Sequence, residues 1–318
     1  MLACKGQSPM KVIFAYRIGQ KMMGGKAMRV DQLAALAKAH LSERYSFEVA
    51  LAPKGARPHA CRRFVNACKD AIVIFHKSAA ANLGPEFRAS LKRAAAGICV
   101  DHLDIVAGPF EPGFIDVHIA ASYESERSLH RGLAALDPTP GTQVRHLRHH
   151  ADPRLKAASA PRGSFWLGYF GLPDNVVLPP ALAEQAIVPG YDGKGDVSAF
   201  IARLSEANFH ICTRDPSPVL TRGILSSKPF TKGFNAAVVG ANVLVNRQVH
   251  DAEYYLGADY PYFVDSTDAA VIGEGVARAA AEFGSARWNN ASTRMADVAR
   301  QIAPTEVTAE LDKILRLF

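Results

Sequence analysis

The sequence predicts an α/β protein built from two Rossmann-like doubly wound domains, and three observations carry that expectation. Its 318 residues exceed what one small core organises and suit two domains of ordinary size. Short β-rich runs alternate with helix-period segments through the first half. After a stretch rich in Arg, His and Pro, the same alternation starts again. Strands that are apolar on both faces and separated by helices belong to a parallel sheet covered on both sides.

The elements follow in order. "KVIFAY" (Lys11–Tyr16) is the first strand, and the Gly-bearing loop "RIGQKMMGGKAMR" leads from it into a helix. Val30, Leu33, Leu36, Ala37 and Leu41 share one face of that helix. "FEVAL" (Phe47–Leu51) and "AIVIF" (Ala71–Phe75) are the next strands, and a helix is expected over Pro85–Ala95. "GICVD" (Gly97–Asp101) and "DVHIAAS" (Asp116–Ser122) complete the first sheet. The later part of "GTQVRHLRHHADPRLKAASAPRG" reads as the crossing between domains, which places them at 1–155 and 156–318. The second domain runs through "FWLGYFG", "EQAIV", "NFHIC", "ANVLVN" and "YPYFV", and three helices close it across Asp268–Phe318.

A formal net charge of +7 favours anionic partners such as phosphates, nucleic acid or an acidic membrane surface. Nucleic acid is the weakest of these, because no stacking motif or recognition-helix signature accompanies the dispersed basic residues. The five cysteines (Cys4, Cys61, Cys68, Cys99, Cys212) are scattered and form no metal-binding spacing, which fits reduced thiols in a cytoplasm. The longest apolar run, Ala236–Val245, is interrupted by Gly240 and Asn242 and falls short of a membrane span. "MLAC" lacks the regions of a signal peptide, so a cytoplasmic protein is expected, with any membrane association peripheral.

The chemistry concentrates in "SSKPFTKGFNAAVVGANVLVN" (Ser226–Asn246). Pro229 suits a first helical turn, Ser226 or Ser227 can cap it, and Gly240 suits the left-handed stop before the next strand. Lys228 and Lys232 lie one turn apart at the helix mouth, with Thr231 on nearly the same face. A helix N-terminus attracts anions and disfavours cations, so a lysine pair there is a mismatch that a bound diphosphate removes. Solvated surface lysines are the alternative, and neither a Walker loop nor a dinucleotide fingerprint is present.

"SKPFTKGFNAAVVGANVLVNR", followed by "DYPYFV", resembles the donor-binding segment of GT-B glycosyltransferases. "WLGYFGLPDN" (Trp166–Asn175) and "VIFAYRIG…GG" resemble the opening strands and glycine turns of the two GT-B domains. The resemblance implies two domains facing a cleft, and transfer of a sugar from a nucleotide-diphosphate sugar to a glycan or glycolipid acceptor, as in polysaccharide biosynthesis. It assigns Arg214, Lys228, Thr231, Lys232 and Asn235 to the donor, with Arg222 and Arg247 as weaker candidates. Arg17, Gly24 and Gly25 would line the acceptor pocket, although the glycine pair also suits a simple tight turn. Many retaining members carry two glutamates eight positions apart; Ser227 and Asn235 stand there in this chain. That departure keeps open a non-catalytic nucleotide-sugar or polyanion-binding protein of the same fold.

An inverting member needs a base, and Asp101 and His102 of "VDHLD" lie where a strand ends, with Asp104 beside them. Loop capping is the alternative for each. No D-x-D metal motif occurs, so the expectation is a metal-free reaction without a cofactor, the nucleotide sugar being substrate. His146, His149 and His150 lie among Arg145, Arg148 and Arg154, whose charges repel a cation, and read as a polar interdomain segment. The expected partners are therefore a nucleotide sugar and an acceptor, with peripheral contact at the inner face of a membrane allowed and no nucleic acid.

Overall fold

The computed structural model describes residues 8–21, 23–104, 110–111, 113–136, 142–156, 163–171, 178–190, 197–214 and 228–318. The chain forms two units. One takes the chain through Ala121, then Ser125–Leu147 and Val307–Phe318, and the other takes Ser122–Glu124 and Arg148–Glu306.

In the first unit, β1 (Met10–Tyr16), β2 (Tyr45–Leu51), β3 (Ile72–His76), β4 (Gly97–Leu103), β5 (Val117–Ala120) and β6 (Gln143–His146) form one sheet. Their order is β2-β1-β3-β4-β5-β6, and every pairing is parallel. A helical segment starts at α1 (Gly24–Lys26), passes through a π-helical stretch at Ala27–Gln32 and continues as α2 (Leu33–Leu41). α3 (Pro58–Ala67), α4 (Pro85–Ala94) and α5 (Tyr123–Ala134) follow. Alternate strand residues point to opposite faces, and each face has its own core. Val12, Phe14, Ile72 and Ile74 pack with Leu33 and Ala37 of α2 on one side. Ile13, Val73, Phe75 and Val100 pack with Cys61 and Phe64 of α3 and Leu91 of α4 on the other. This is the doubly wound arrangement that strands apolar on both faces predict.

In the second unit, β7 (Leu167–Gly168), β8 (Phe209–Ile211), β9 (Asn242–Asn246) and β10 (Phe263–Val264) form a parallel sheet in the order β10-β9-β8-β7. "EQAIV" contributes a single bridge, Gly168 to Ile187, rather than a full strand. Its helices are α6 (Pro180–Gln185), α7 (Ser198–Arg203), α8 (Thr231–Val238), α9 (Ala252–Leu256), α10 (Ala269–Ala281) and α11 (Ala286–Gln301). Phe209, Phe234, Tyr262 and Trp288 are among the large members of its core.

Two boundaries differ from the expectation of 1–155 and 156–318. The crossing comes at Leu147/Arg148, because Leu147 is buried in the first core whereas Ala151 and Leu155 belong to the second. The C-terminal helix Pro304–Leu315 returns to the first unit, where Val307, Leu311, Ile314 and Leu315 are buried. β6 lies inside the stretch read as irregular; only Val144 of "QVRH" is fully buried, so the segment has no apolar signature. No helix among the described residues is long and apolar enough to cross a membrane.

Candidate functional site

The mouth of α8 is built by packing that fixes its first turn. Phe230, at the N-cap position, stacks edge-on against Phe234 at 5.6 Å. Gly233 lets Phe230 lie there, since a Cβ at Gly233 would fall 2.0 Å from that ring. The first intrahelical bond runs from Phe234 N–H to Phe230 carbonyl, so the N–H groups of Lys232 and Gly233 precede it and point out of the helix end. Gly240 ends the segment with φ +77°, the left-handed stop the sequence predicts, and β9 begins two residues later. Ser226, Ser227 and Arg222 lie outside the described residues.

Lys232 runs from this turn toward the end of β7. Its Nζ donates to Tyr169 Oη at 3.2 Å and stands 4.5 Å above the Tyr169 ring. Gly171 makes room for the stem, because a Cβ there would fall 2.8 Å from Lys232 Cε. Burial lowers the Lys232 pKa to about 8; nearby Cys212 opposes the shift, and Arg214 and Lys228 add to it. Burial pushes Tyr169 and Cys212 each up to about 12, so both are neutral at pH 7 and neither balances the ammonium. Lys232 forms no ion pair among the described residues. A half-buried cation with two further cations acting on it is a candidate anion site.

The other donor candidates gather at the same sheet edge. Arg214 follows β8, and its backbone is held on both sides by Asn246 of β9. The Arg214 N–H donates to Asn246 Oδ1 at 2.8 Å, and Asn246 Nδ2 donates to the Arg214 carbonyl at 2.9 Å. Thr231 sits in the first turn of α8 with its hydroxyl 3.5 Å from the Pro229 carbonyl, and Lys228 is exposed just before it. Asn235 and Lys232 line one pocket with Phe170, His210 and Cys212. Asn235 Oδ1 also accepts from the Asp152 N–H at 3.1 Å. Arg247 is placed differently: it pairs with Glu253 at 2.5 Å and Asp265 at 3.3 Å and stacks on Phe263, so its charge is already used.

Asn246, fully buried, is the tie between β9 and the Arg214 backbone. Asn246→Ala is expected to lower stability by about 1–3 kcal/mol, because the Arg214 amide and carbonyl lose their partner. It should also weaken anion binding, and urea denaturation with nucleotide titration reads both effects.

In the first unit, Arg17, Gly24 and Gly25 follow β1. The Arg17 N–H donates to Gln20 Oε1 at 2.9 Å, while its buried Nε has no hydrogen-bond partner among the described residues. Nothing lies within 4 Å of where a Gly24 Cβ would stand, whereas Gly25 lies against Leu103 and His76. His76 is the residue the sequence reading missed there. It is buried at the end of β3, and burial lowers its pKa to about 4.

The proposed base pair is placed otherwise than expected. Asp101 is 1% exposed and accepts from Arg29 Nε at 2.7 Å. Burial alone would raise its pKa, but Arg29, His76 and the Leu103 N–H outweigh burial and hold it below the usual value. His102 is 3% exposed, lies 2.8 Å from His118 Nδ1 and has its pKa lowered to about 3 by burial, then by His118. Asp101 is thus the counter-ion of Arg29 and His102 half of a buried histidine pair; a general base must reach the acceptor hydroxyl. Asp104 pairs with Lys77 at 2.6 Å.

His149 and His150 are buried and stacked, and Asp152 pairs with Arg154 at 2.8 Å. Among the described residues no three His, Cys, Asp or Glu side chains group as a metal ion requires.

No protein-family model and no characterised protein sequence matches this chain. Solved structures do. A glycosyltransferase from Rickettsia africae matches 98% of this chain and 99% of its own, with TM-score 0.67 and 9% identity. Sucrose-phosphate synthase from Thermosynechococcus elongatus matches 97% and 98%, with TM-score 0.62 and 12% identity. HepE of Anabaena, crystallised with UDP-glucose, matches 97% and 100%, with TM-score 0.60 and 11% identity. At these identities the likeness is one of fold, and the fold is that of GT-B glycosyltransferases.

Proposed function

We propose that this chain is a glycosyltransferase that moves a sugar from a nucleotide-diphosphate sugar to a glycan or glycolipid acceptor. The observation that carries the reading is Lys232, half-buried at a helix mouth with no ion pair among the described residues and with Lys228 and Arg214 acting on it. In this reading Lys232, Lys228 and Arg214 flank the two phosphates, and Thr231 adds a hydroxyl donor. The N–H groups of Lys232 and Gly233 take further oxygens.

These groups act most strongly on the charge that develops as the sugar–phosphate bond breaks. Three cations and a helix end supply that stabilisation without calling on a metal or cofactor. HepE, which shares the fold, holds UDP and UDP-glucose in its crystals, and that supports a uridine nucleotide as the first donor to try. Arg17, Gly24 and Gly25 are kept as acceptor-side residues, in a cytoplasmic protein that meets its acceptor at the inner face of a membrane. Asn235, standing where retaining members carry a glutamate, favours the second reading of a nucleotide-sugar binder without turnover.

Calorimetric titration of the full chain with UDP, GDP and ADP, followed by assay of nucleotide release from the matching sugar nucleotides, tests the proposal. One nucleoside diphosphate is expected to bind and its sugar conjugate to be consumed. Binding without consumption selects the binder, and no binding by any of the three overturns both readings.

A further inference from the structure

Hydrogen-bond donors gather at one end of the first sheet without acceptors among the described residues. β1 and β3 lie side by side, with Ala15 opposite Phe75, so Arg17 and His76 leave adjacent strand ends. Gln20 ties the two together. Its Oε1 accepts from the Arg17 N–H at 2.9 Å, and its Nε2 donates to the His76 carbonyl at 3.2 Å. The helical segment that starts at Gly24 packs against the same histidine. A Cβ on Gly25 would stand 3.5 Å from His76 Nε2 and 2.9 Å from Leu103.

The polar accounting of this corner does not close. Arg17 Nε is buried without a hydrogen-bond partner, and Arg17 forms no ion pair among the described residues. His76 is 2% exposed, its Nδ1 is buried without a partner, and its Nε2 makes no hydrogen bond among the described residues. Burial lowers its pKa to about 4, so at pH 7 the ring is neutral and still carries one N–H to donate. The first bond of the helical segment runs from the Ala27 N–H to the Met23 carbonyl, so the N–H groups of Gly24 and Gly25 precede it. Nothing lies within 4 Å of where a Gly24 Cβ would stand, which leaves that end open. The acids of this region are already paired: Asp101 with Arg29, Asp104 with Lys77 and Asp31 with Lys26.

Buried donors without acceptors are costly, and a guanidinium, an imidazole N–H and a helix end all ask for acceptor oxygens. A sugar hydroxyl would serve the imidazole but leave the Arg17 charge uncompensated. A carboxylate brings the charge with two oxygens. A phosphate monoester brings it with three, and the glycine pair lets such a group approach the backbone. We propose that Arg17, His76 and the N–H groups of Gly24 and Gly25 bind a phosphate monoester carried by the acceptor, whether a sugar phosphate or a lipid phosphate. The proposal rests on the reading of the first unit as the acceptor side and narrows the glycan or glycolipid to one bearing phosphate.

Calorimetric titration of the full chain with glucose 6-phosphate, dihexanoyl phosphatidic acid and glucose, all without nucleotide, tests it. At least one of the two phosphates is expected to bind, the tighter one naming the carrier, and glucose is expected not to. Excess UDP should leave that binding in place, because the donor phosphates belong to the second unit. Arg17→Met should lower the phosphate affinity by about tenfold or more, since a charge-assisted contact is lost, and Arg17→Lys should recover part of it. His76→Phe, which keeps a ring without its nitrogens, should also weaken binding. The comparisons with glucose and UDP need no substitution, so they decide even where a variant fails to fold. Nucleotide binding is read separately, so a failed donor site leaves this result standing and the reverse holds equally. Four results would overturn the proposal: no binding of either phosphate, glucose binding as tightly as its phosphate, displacement of the phosphates by UDP, or wild-type phosphate affinity in Arg17→Met.

Discussion

Lys232→Met is expected to raise the melting temperature of the unliganded protein and to abolish nucleoside-diphosphate binding. The two effects have one origin. The folded state holds the Lys232 pKa near 8 against an ordinary 10.5, which means folding penalises the ammonium. Below pH 8 both folded and unfolded chains carry the charge, and the penalty is present in full. Between about 8 and 10.5 the unfolded chain binds the proton and the folded chain does not, so stability rises with pH across that window. Methionine keeps a flexible unbranched stem against Gly171 and carries no charge, so at pH 7 it removes the penalty while giving up the contacts with Tyr169.

Binding of a diphosphate selects the protonated lysine. Affinity of the wild type should be level below pH 8 and fall above it, by up to about tenfold per unit. The methionine variant should show no such step. Differential scanning fluorimetry and calorimetric titration across pH 6.5–9.5 give both answers at about half-unit steps, a range chosen to straddle the Lys232 pKa. A variant that melts lower and binds nucleotide as well as the wild type would show Lys232 to be an ordinary surface-helix lysine, and the donor site would go with it.

The same residues show how far a sequence can be read. The central strands of both sheets were legible because burial on both faces writes an apolar run that needs no partner information: "AIVIF" and "NVLVN" are core whatever stands beside them. β6, with one buried residue, carries no such run. The start of α8 falls at Thr231 with Phe230 as N-cap, beyond the Pro229 that the sequence placed in the first turn. Its end was legible because Gly240 marks it by local backbone chemistry. Tyr169 and Asn246 were not, since each matters only through a contact with a residue 63 or 32 positions away. Periodicity carries no record of such pairings. The placement of Asp101 fails for a related reason. A carboxylate at a strand end looks the same in sequence whether it faces solvent or a guanidinium 72 residues earlier.

That guanidinium makes Asp101→Asn the other change with a large effect. Arg29 has a fully buried side chain and donates through Nη2 to the Leu147 carbonyl at 3.0 Å as well as through Nε to Asp101. Leu147 is the last residue of the first unit before the crossing, so Arg29 ties the π-helical stretch to both β4 and the end of that unit. Removing the carboxylate leaves the Arg29 charge fully buried without its counter-ion, and breaking such a pair costs about 3–5 kcal/mol.

The urea midpoint of Asp101→Asn is expected to fall accordingly, and Arg29→Met combined with Asp101→Leu should recover most of the loss, because an apolar pair leaves no charge uncompensated. The wild-type pair should also be lost in acid. The folded-state pKa of Asp101 lies below the ordinary value, so its contribution is present above the carboxylate range and disappears as pH falls through the folded value. The double variant should lack that acid-side component. If instead Asp101→Asn kept the wild-type midpoint and lost only the rate of sugar transfer, Asp101 would be a base after all, and the buried pair an arrangement that opens during the reaction.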